Sequence, residues 1–175
     1  ENGEAIRRAV WVGTTQTFEE IQTVLSRFHV DIAVMDARPE THKAQELRDF
    51  YVQNTKTALW LAQFHPTERV SGESYGGKFR WNDRICTVDR TQLLDATLDD
   101  IRAQPPRRRF PQDVYAVEGF VEQMRASQRV LNPAGTRFVW EEGSKADHYR
   151  FADAYDRIAG DLLRGGGTYD IVEFG

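Results

Sequence analysis

Two aspartates have the residue type and position in this chain best suited to metal chemistry. Asp36 directly follows the apolar run 32–35, and Asp147 lies at the start of a late helical pattern. Open α/β sheets bind their ligands beyond the carboxyl ends of strands. If the fold brings the two carboxylates together, they form an oxygen-rich site for Mg²⁺ or Mn²⁺. Two such ions activate water and stabilise the leaving oxygen when a phosphodiester is cleaved.

Structural roles remain open for both aspartates. An Asp between a strand and a helix commonly caps the helix or closes a turn, which would account for Asp36. A negative charge in the first turn of a helix interacts favourably with the helix dipole, which would account for Asp147. Asp153 and Asp156 lie further along the same pattern and are expected to face partly outward. Composition alone does not establish that Asp36 and Asp147 meet.

The element that positions Asp36 is predicted to be a strand. Residues 32–35 are apolar, rich in β-formers and too few for a helix, which indicates a buried parallel strand covered on both faces. A strand over Ala9–Gly13 and a helix capped by Thr17, with Glu20 in the capping-box position, come before it. A strand, a helix and a strand in this order indicate a right-handed βαβ unit.

The remaining patterns alternate between helices and strands, which predicts an α/β fold. Strands are expected over 58–64, 85–88, 129–131 and 137–140, the last two as a hairpin, with a loop or hairpin over 65–82. Helices are expected over 41–51, from 91 to about 101, over 117–126 and over 146–163. The first of these helices is expected to bury Ala44, Leu47, Phe50 and Tyr51. In the last helix, one face at helical spacing is formed by Tyr149, Ala152, Tyr155, Ala159 and Leu162.

The length of the chain indicates its domain organisation, and its net charge limits the classes of partner that it could bind. At 175 residues the chain suits a single domain, predicted over 1–164, with 165–175 as a tail. The net charge of −4 argues against a nucleic-acid binder that works by bulk electrostatics, but not against an enzyme with a local basic patch. The densest positive charge, Arg107, Arg108 and Arg109, is either a solvated linker or a contact for phosphates.

Features that the sequence lacks argue against several classes of protein. No apolar run has the length of a membrane span and no signal peptide opens the chain, so a cytoplasmic location is predicted. The single Cys86 lies in the apolar run 85–88 and is predicted to be a buried strand residue rather than a nucleophile. A small-molecule α/β enzyme is not favoured, because the sequence offers neither an activated nucleophile nor a glycine-rich cofactor loop.

Three short motifs, in this order, resemble the nuclease half of phage large terminase subunits. They are Val34–Thr41 (VMDARPET), Val88–Asp95 (VDRTQLLD) and Ala146–Tyr149 (ADHY), the last followed by Ala152 and Tyr155. The resemblance extends from about residue 8 to residue 163. It implies an RNase H-like mixed β-sheet flanked by α-helices on both faces. It also implies a metal-dependent endonuclease that cuts concatemeric double-stranded DNA during genome packaging in the host cell cytoplasm.

The resemblance assigns roles to individual residues. In this family an acid at a strand tip and an acid on the last helix hold Mg²⁺ or Mn²⁺, and these positions match Asp36 and Asp147. Asp89 is expected to be a structural residue or to support the ligands, rather than to be a ligand itself. His148 is expected to support a ligand, to position water, or to be a surface histidine. The candidates for phosphate contact are Lys43, Arg90, Arg107, Arg108 and Arg109.

One difference from the family bears on activity. The family carries a first metal-binding Asp on a strand that would precede residues 9–13, whereas no Asp precedes Asp31 here, and no Walker motif marks an ATPase half. The expectation is a fragment or a prophage remnant that lacks its first strand, with the terminase ATPase domain and the portal protein as implied partners. The alternative is a catalytically silent RNase H-like module that docks to DNA or to a portal through 107–109.

Overall fold

Helices and strands alternate along the chain in a computed structural model that describes residues 6–64, 78–141, 143 and 145–164. This is the α/β class that the sequence predicts. The strands are β1 (Arg7–Arg8), β2 (Ile32–Asp36), β3 (Ala58–Phe64), β4 (Lys78–Arg80), β5 (Ile85–Val88), β6 (Arg108–Arg109), β7 (Gln128–Leu131) and β8 (Phe138–Glu141). The helices are α1 (Phe18–Arg27), α2 (Thr41–Asn54), α3 (Arg90–Arg102), α4 (Phe120–Met124) and α5 (His148–Leu163), with a 3₁₀ helix at Gln112–Ala116.

The chain divides into two compact units. Unit 1 comprises Glu1–Thr14 and Thr91–Ala154, and unit 2 comprises Thr15–Arg90 and Tyr155–Gly175. The single domain over 1–164 stays a prediction, and the predicted tail lies outside the described residues, as does 65–77 of the predicted loop. None of the described helices is long and apolar enough to cross a membrane.

The described sheet of unit 2 has the strand order β2-β3-β5-β4. β2, β3 and β5 run parallel, and β4 pairs with β5 in the antiparallel direction. The bounds of β3 and β5 are those predicted from the sequence. β2 is parallel as predicted, but all five of its residues are only half-buried, so the expectation of burial on both faces was wrong. Its position explains this, because β2 is an end strand of the described sheet.

Helix α2 covers one face of this sheet. Leu47 and Tyr51 of α2 pack against Leu59 of β3, and Ala33 and Met35 of β2 join that cluster. Successive side chains of a strand point to opposite faces, so the odd-numbered residues of β2 and β3 face α2. Phe50 was predicted to be buried with them, but the residue is 43% exposed.

The other face of the sheet contacts a residue of α5. Phe64 of β3 stacks on Tyr155, with ring centroids 6.2 Å apart and planes inclined by 24°. Trp60, on the same face as Phe64, contacts Phe79 of β4 and the exposed Trp81 edge-on. Within unit 2, helical residues therefore contact both faces of the described sheet.

The start of the chain differs from the prediction. Ala9–Gly13 does not form the predicted strand, and Val10 and Trp11 are exposed. Instead Arg7–Arg8 forms β1, which pairs in parallel with β6 in a separate two-stranded sheet of unit 1. The predicted βαβ unit through α1 is therefore wrong, and the βαβ unit that forms is β2-α2-β3. The cap of α1 is confirmed, because the amide of Glu20 donates to Thr17 Oγ1 at 3.2 Å.

Unit 1 contains two further departures and one agreement. The helix predicted over 117–126 is shorter, Phe120–Met124, and begins after Gly119, its N-cap, whose φ of 72° is left-handed. Ala152, predicted to share one face of α5 with Tyr149 and Tyr155, is exposed, whereas those two tyrosines are buried. The hairpin of β7 and β8 is confirmed, and its turn is closed by the Thr136 amide, which donates to Asn132 Oδ1 at 2.9 Å.

Unit 1 also buries several charges in ion pairs. Asp100 Oδ2 lies 2.8 Å from Arg7 Nη2, and its Oδ1 lies 3.1 Å from Arg107 Nε. Asp153 Oδ1 lies 2.6 Å from Arg108 Nε, and both residues are less than 8% exposed. The expectation that Asp153 faces partly outward was therefore wrong. These pairs connect β1 and β6 to helices α3 and α5.

We predict that Asp153→Ala will lower the free energy of unfolding by about 3–5 kcal/mol, because it leaves the Arg108 guanidinium buried without its partner. Urea unfolding monitored by circular dichroism measures this. Asp156→Ala, at an exposed position of the same helix, is the control and should change stability by less than about 1 kcal/mol. The double variant Arg108→Met/Asp153→Leu should recover most of the loss. Equal effects of the two single variants would contradict the assigned pair.

Candidate functional site

Asp36 is the last residue of β2, and two hydrogen bonds hold its carboxylate. Asp36 is paired with Ala62 of β3, so its side chain points to the sheet face opposite α2. The amide of Arg38 donates to Asp36 Oδ1 at 2.8 Å, closing the turn that follows the strand. The hydroxyl of Tyr155 donates to Oδ2 at 2.7 Å. The turn role left open from the sequence is therefore observed, and it uses one oxygen.

Tyr155 reaches Asp36 from α5 and is itself 8% exposed. Burial raises the pKa of the Tyr155 phenol, and the negative charge of Asp36 and the hydrogen bond between them raise it further. Since all three effects favour the neutral phenol, its hydroxyl remains a donor to the carboxylate at any ordinary pH.

Asp147 lies immediately before α5 rather than in its first turn. Its carbonyl accepts from the amide of Phe151 at 3.1 Å, which is the first bond of the helix and makes Asp147 the N-cap residue. Its carboxylate accepts a hydrogen bond from a residue outside the helix: Ser127 Oγ donates to Asp147 Oδ2 at 2.7 Å. Ser127 is 7% exposed, so this carboxylate is anchored to a buried hydroxyl.

Two other predicted residues, Asp89 and His148, lie at the start of helices. Asp89 is buried between the end of β5 and the start of α3. This placement suits a residue that supports its surroundings rather than one that faces solvent. His148 is exposed and is the first residue of α5, next to Asp147.

Some of the side chains predicted to contact phosphates are exposed, and others are held in ion pairs within the fold. Lys43 is exposed in the first turn of α2 and pairs with Glu40 at 3.0 Å, and Arg109 is exposed on β6. Arg90 is half-buried as the first residue of α3. Arg107 and Arg108 make the ion pairs with Asp100 and Asp153. Solvent access therefore favours Lys43 and Arg109 as contacts for a phosphate.

The acids fit a hard divalent cation in donor chemistry. A carboxylate oxygen has two lone pairs, so one hydrogen bond on each oxygen of Asp36 leaves an acceptor site on each. Mg²⁺ commonly takes only one or two protein carboxylates and completes its shell with water and substrate phosphates. Among the described residues, no three His, Cys, Asp or Glu side chains form a group that could hold a metal ion. Asp36 belongs to unit 2 and Asp147 to unit 1, and their approach stays a prediction.

Sequence reasoning missed the side chains that hold the two acids. Tyr155 was counted only as part of an apolar helix face, and Ser127 was not considered. Asp95 was also missed, although it accepts from Trp140 Nε1 at 2.9 Å and from Arg129 Nη2 at 3.1 Å, which connects the hairpin to α3. Helical spacing signals that Tyr155 is buried, but no sequence pattern signals its acceptor 119 residues away.

Arg150 is a further buried charge of unit 1 that the sequence does not reveal. Its guanidinium lies 5.0 Å above the ring of Trp140, and its Nη2 donates to the carbonyl of Leu94 at 3.0 Å. Burial lowers the pKa of Arg150, while the charges of Asp153 and Asp95 act in the opposite direction. The two carboxylates therefore offset only part of the cost of burying the cation.

Comparison with protein-family models, with curated proteins and with solved structures finds no match to this chain. The function must therefore be argued from the residues and contacts described above.

Cys86 yields a test of the packing around the candidate site. It is fully buried in β5, as predicted, and burial raises the pKa of its thiol from 9.0 to about 12. Because the thiolate is the reactive form, we predict that iodoacetamide labels the native protein at pH 9 about a thousandfold more slowly than the urea-unfolded chain. Mass spectrometry of timed samples measures both rates, and native labelling within tenfold of the unfolded rate would contradict this burial.

Proposed function

We propose that this chain is the metal-dependent endonuclease domain of a phage DNA-packaging terminase large subunit, with an RNase H-like fold. The proposed reaction is hydrolysis of phosphodiester bonds in double-stranded DNA, with Mg²⁺ or Mn²⁺ as the cofactor. Such an enzyme works in the host cytoplasm, beside the terminase ATPase domain and the portal protein. The observation that carries the proposal is the Asp36 carboxylate, which is held by two donors at the carboxyl end of a parallel strand.

The sheet of unit 2 supports the fold part of the proposal. Three parallel strands with an antiparallel strand beside β5 make a mixed sheet, and α2 and Tyr155 of α5 contact its opposite faces. A mixed sheet with helices on both faces is the architecture that the resemblance implies. The end of β2 is also where such sheets place ligand-binding residues.

The chemistry of the acids supports the cofactor part. Asp36 and Asp147 are hard oxygen donors, and each is oriented by a hydroxyl, from Tyr155 and Ser127 respectively. A divalent cation bound to them would activate water and stabilise charge on the leaving oxygen. The residues of the chain bind and orient that cation, while the exposed Lys43 and Arg109 supply positive charge for DNA phosphates.

The proposal predicts that the chain nicks supercoiled plasmid DNA when Mg²⁺ or Mn²⁺ is present and not when EDTA is added. Asp36→Asn should lower the nicking rate at least about 100-fold, because the cation contributes several kcal/mol and each 1.36 kcal/mol is a factor of ten. Asp147→Asn should cause a loss of the same order. Agarose gel electrophoresis of timed samples measures these rates.

Asp31→Asn is the matched control, because Asp31 is an exposed aspartate just before β2, at the opposite end of the strand from Asp36. It should nick at the wild-type rate. Absence of metal-dependent nicking by the folded wild-type chain would overturn the proposal and favour the non-catalytic docking module. A rate unchanged in Asp36→Asn would assign the activity to other residues.

A further inference from the structure

We propose that Tyr155 is a positioning residue that holds the Asp36 carboxylate in the orientation in which it binds the divalent cation. This inference rests on the proposed function and deepens it, because it names a residue of α5 on which the β2 ligand depends. It starts from one contact within unit 2, the bond from the Tyr155 hydroxyl to Asp36 Oδ2 at 2.7 Å.

The position of the Tyr155 hydroxyl is fixed by packing of its ring. The ring stacks on Phe64, and the residue is buried. Phe64 belongs to β3, two residues beyond Ala62, the residue of β3 that pairs with Asp36. The donor and the acceptor are therefore both positioned by the same sheet, and the hydroxyl has little freedom to move away from Oδ2.

The carboxylate of Asp36 needs this second donor to have a defined plane. The terminal torsion of an aspartate is broad, and the bond from the Arg38 amide restrains only Oδ1. A donor on each oxygen fixes the rotation of the group. The lone pairs that remain then point in defined directions, which a cation with strict octahedral geometry such as Mg²⁺ requires.

A role in packing alone would make a different prediction. Packing depends on the aromatic ring, which phenylalanine retains, whereas positioning depends on the hydroxyl, which phenylalanine lacks. Removing a residue that orients a metal ligand typically lowers metal affinity 10–100-fold. Tyr155→Phe therefore separates the two roles with a minimal change in volume.

The experiment measures Mn²⁺ binding to the full chain by electron paramagnetic resonance of the free ion, without DNA. Tyr155→Phe should weaken binding about 10–100-fold. Tyr51→Phe is the matched control, because Tyr51 is a buried tyrosine of the same unit that packs against Leu47 and Leu59 rather than an acid. It should bind as the wild type does. Thermal unfolding of each variant verifies that it is folded.

The nicking assay then provides a second and separate readout. For Tyr155→Phe, the Mn²⁺ concentration that gives half the maximal rate should rise by the same factor as the dissociation constant. The rate at saturating Mn²⁺ should fall much less, since the ligand itself is still present. A general loss of structure would instead lower the maximal rate without this shift.

The outcomes separate this inference from the proposed function. If the wild-type chain nicks DNA, and folded Tyr155→Phe binds Mn²⁺ as tightly as the wild type does, the positioning role is overturned and the nuclease proposal stands. If Mn²⁺ binding is weakened in Tyr155→Phe but not in Tyr51→Phe, the positioning role is supported. If the wild-type chain nevertheless does not nick DNA, the nuclease proposal is overturned. A wild-type chain that binds no Mn²⁺ overturns both.

Discussion

The register of β2 against β3 is the constraint on which the candidate site depends. Asp36 lies opposite Ala62, and this pairing directs its carboxylate away from α2. A slip of one residue would exchange the two faces of the strand. It would turn Asp36 towards the apolar cluster of Leu47 and Leu59 and would expose Met35. The burial of apolar side chains under α2 therefore keeps the acid on the face where Tyr155 can reach it.

Unit 1 is specified in a different way, through charge. β1 and β6 are only two residues long, so their backbone hydrogen bonds alone define the pairing weakly. The ion pairs of Arg7 and Arg107 with Asp100 add a second requirement, because any shift of one strand would leave a charge buried without its partner. The same arginine run that suggested a phosphate contact thus serves the fold at two of its three positions, and only Arg109 is exposed.

Local patterns in the sequence predicted the elements whose signals are themselves local. The apolar runs of β3 and β5 gave their bounds, and Thr17 gave the start of α1, because periodicity and capping act within a few residues. The later start of α4, after Gly119, was missed, since glycine is tolerated in a helix and only the fold shows its left-handed conformation. The burial of Asp153 was missed because its partner is 45 residues away in the sequence. The position of Asp36 at the end of an apolar strand made it a candidate from the sequence alone, but its contact with Tyr155 could not be predicted in this way.

The hydrogen bonds of the two acids do not argue against a role as ligands. A turn or capping role competes with metal binding only if both require the same lone pair, and each carboxylate oxygen has two. In a metal site, donors to the ligand carboxylates hold them in place before the ion arrives. If Asp36 and Asp147 are the ligands proposed, the hydroxyls of Tyr155 and Ser127, which donate to them, are placed to act as donors of this kind. In the proposed site, folding would already restrict these side chains, so less conformational entropy would be lost on binding a cation and its affinity would be higher.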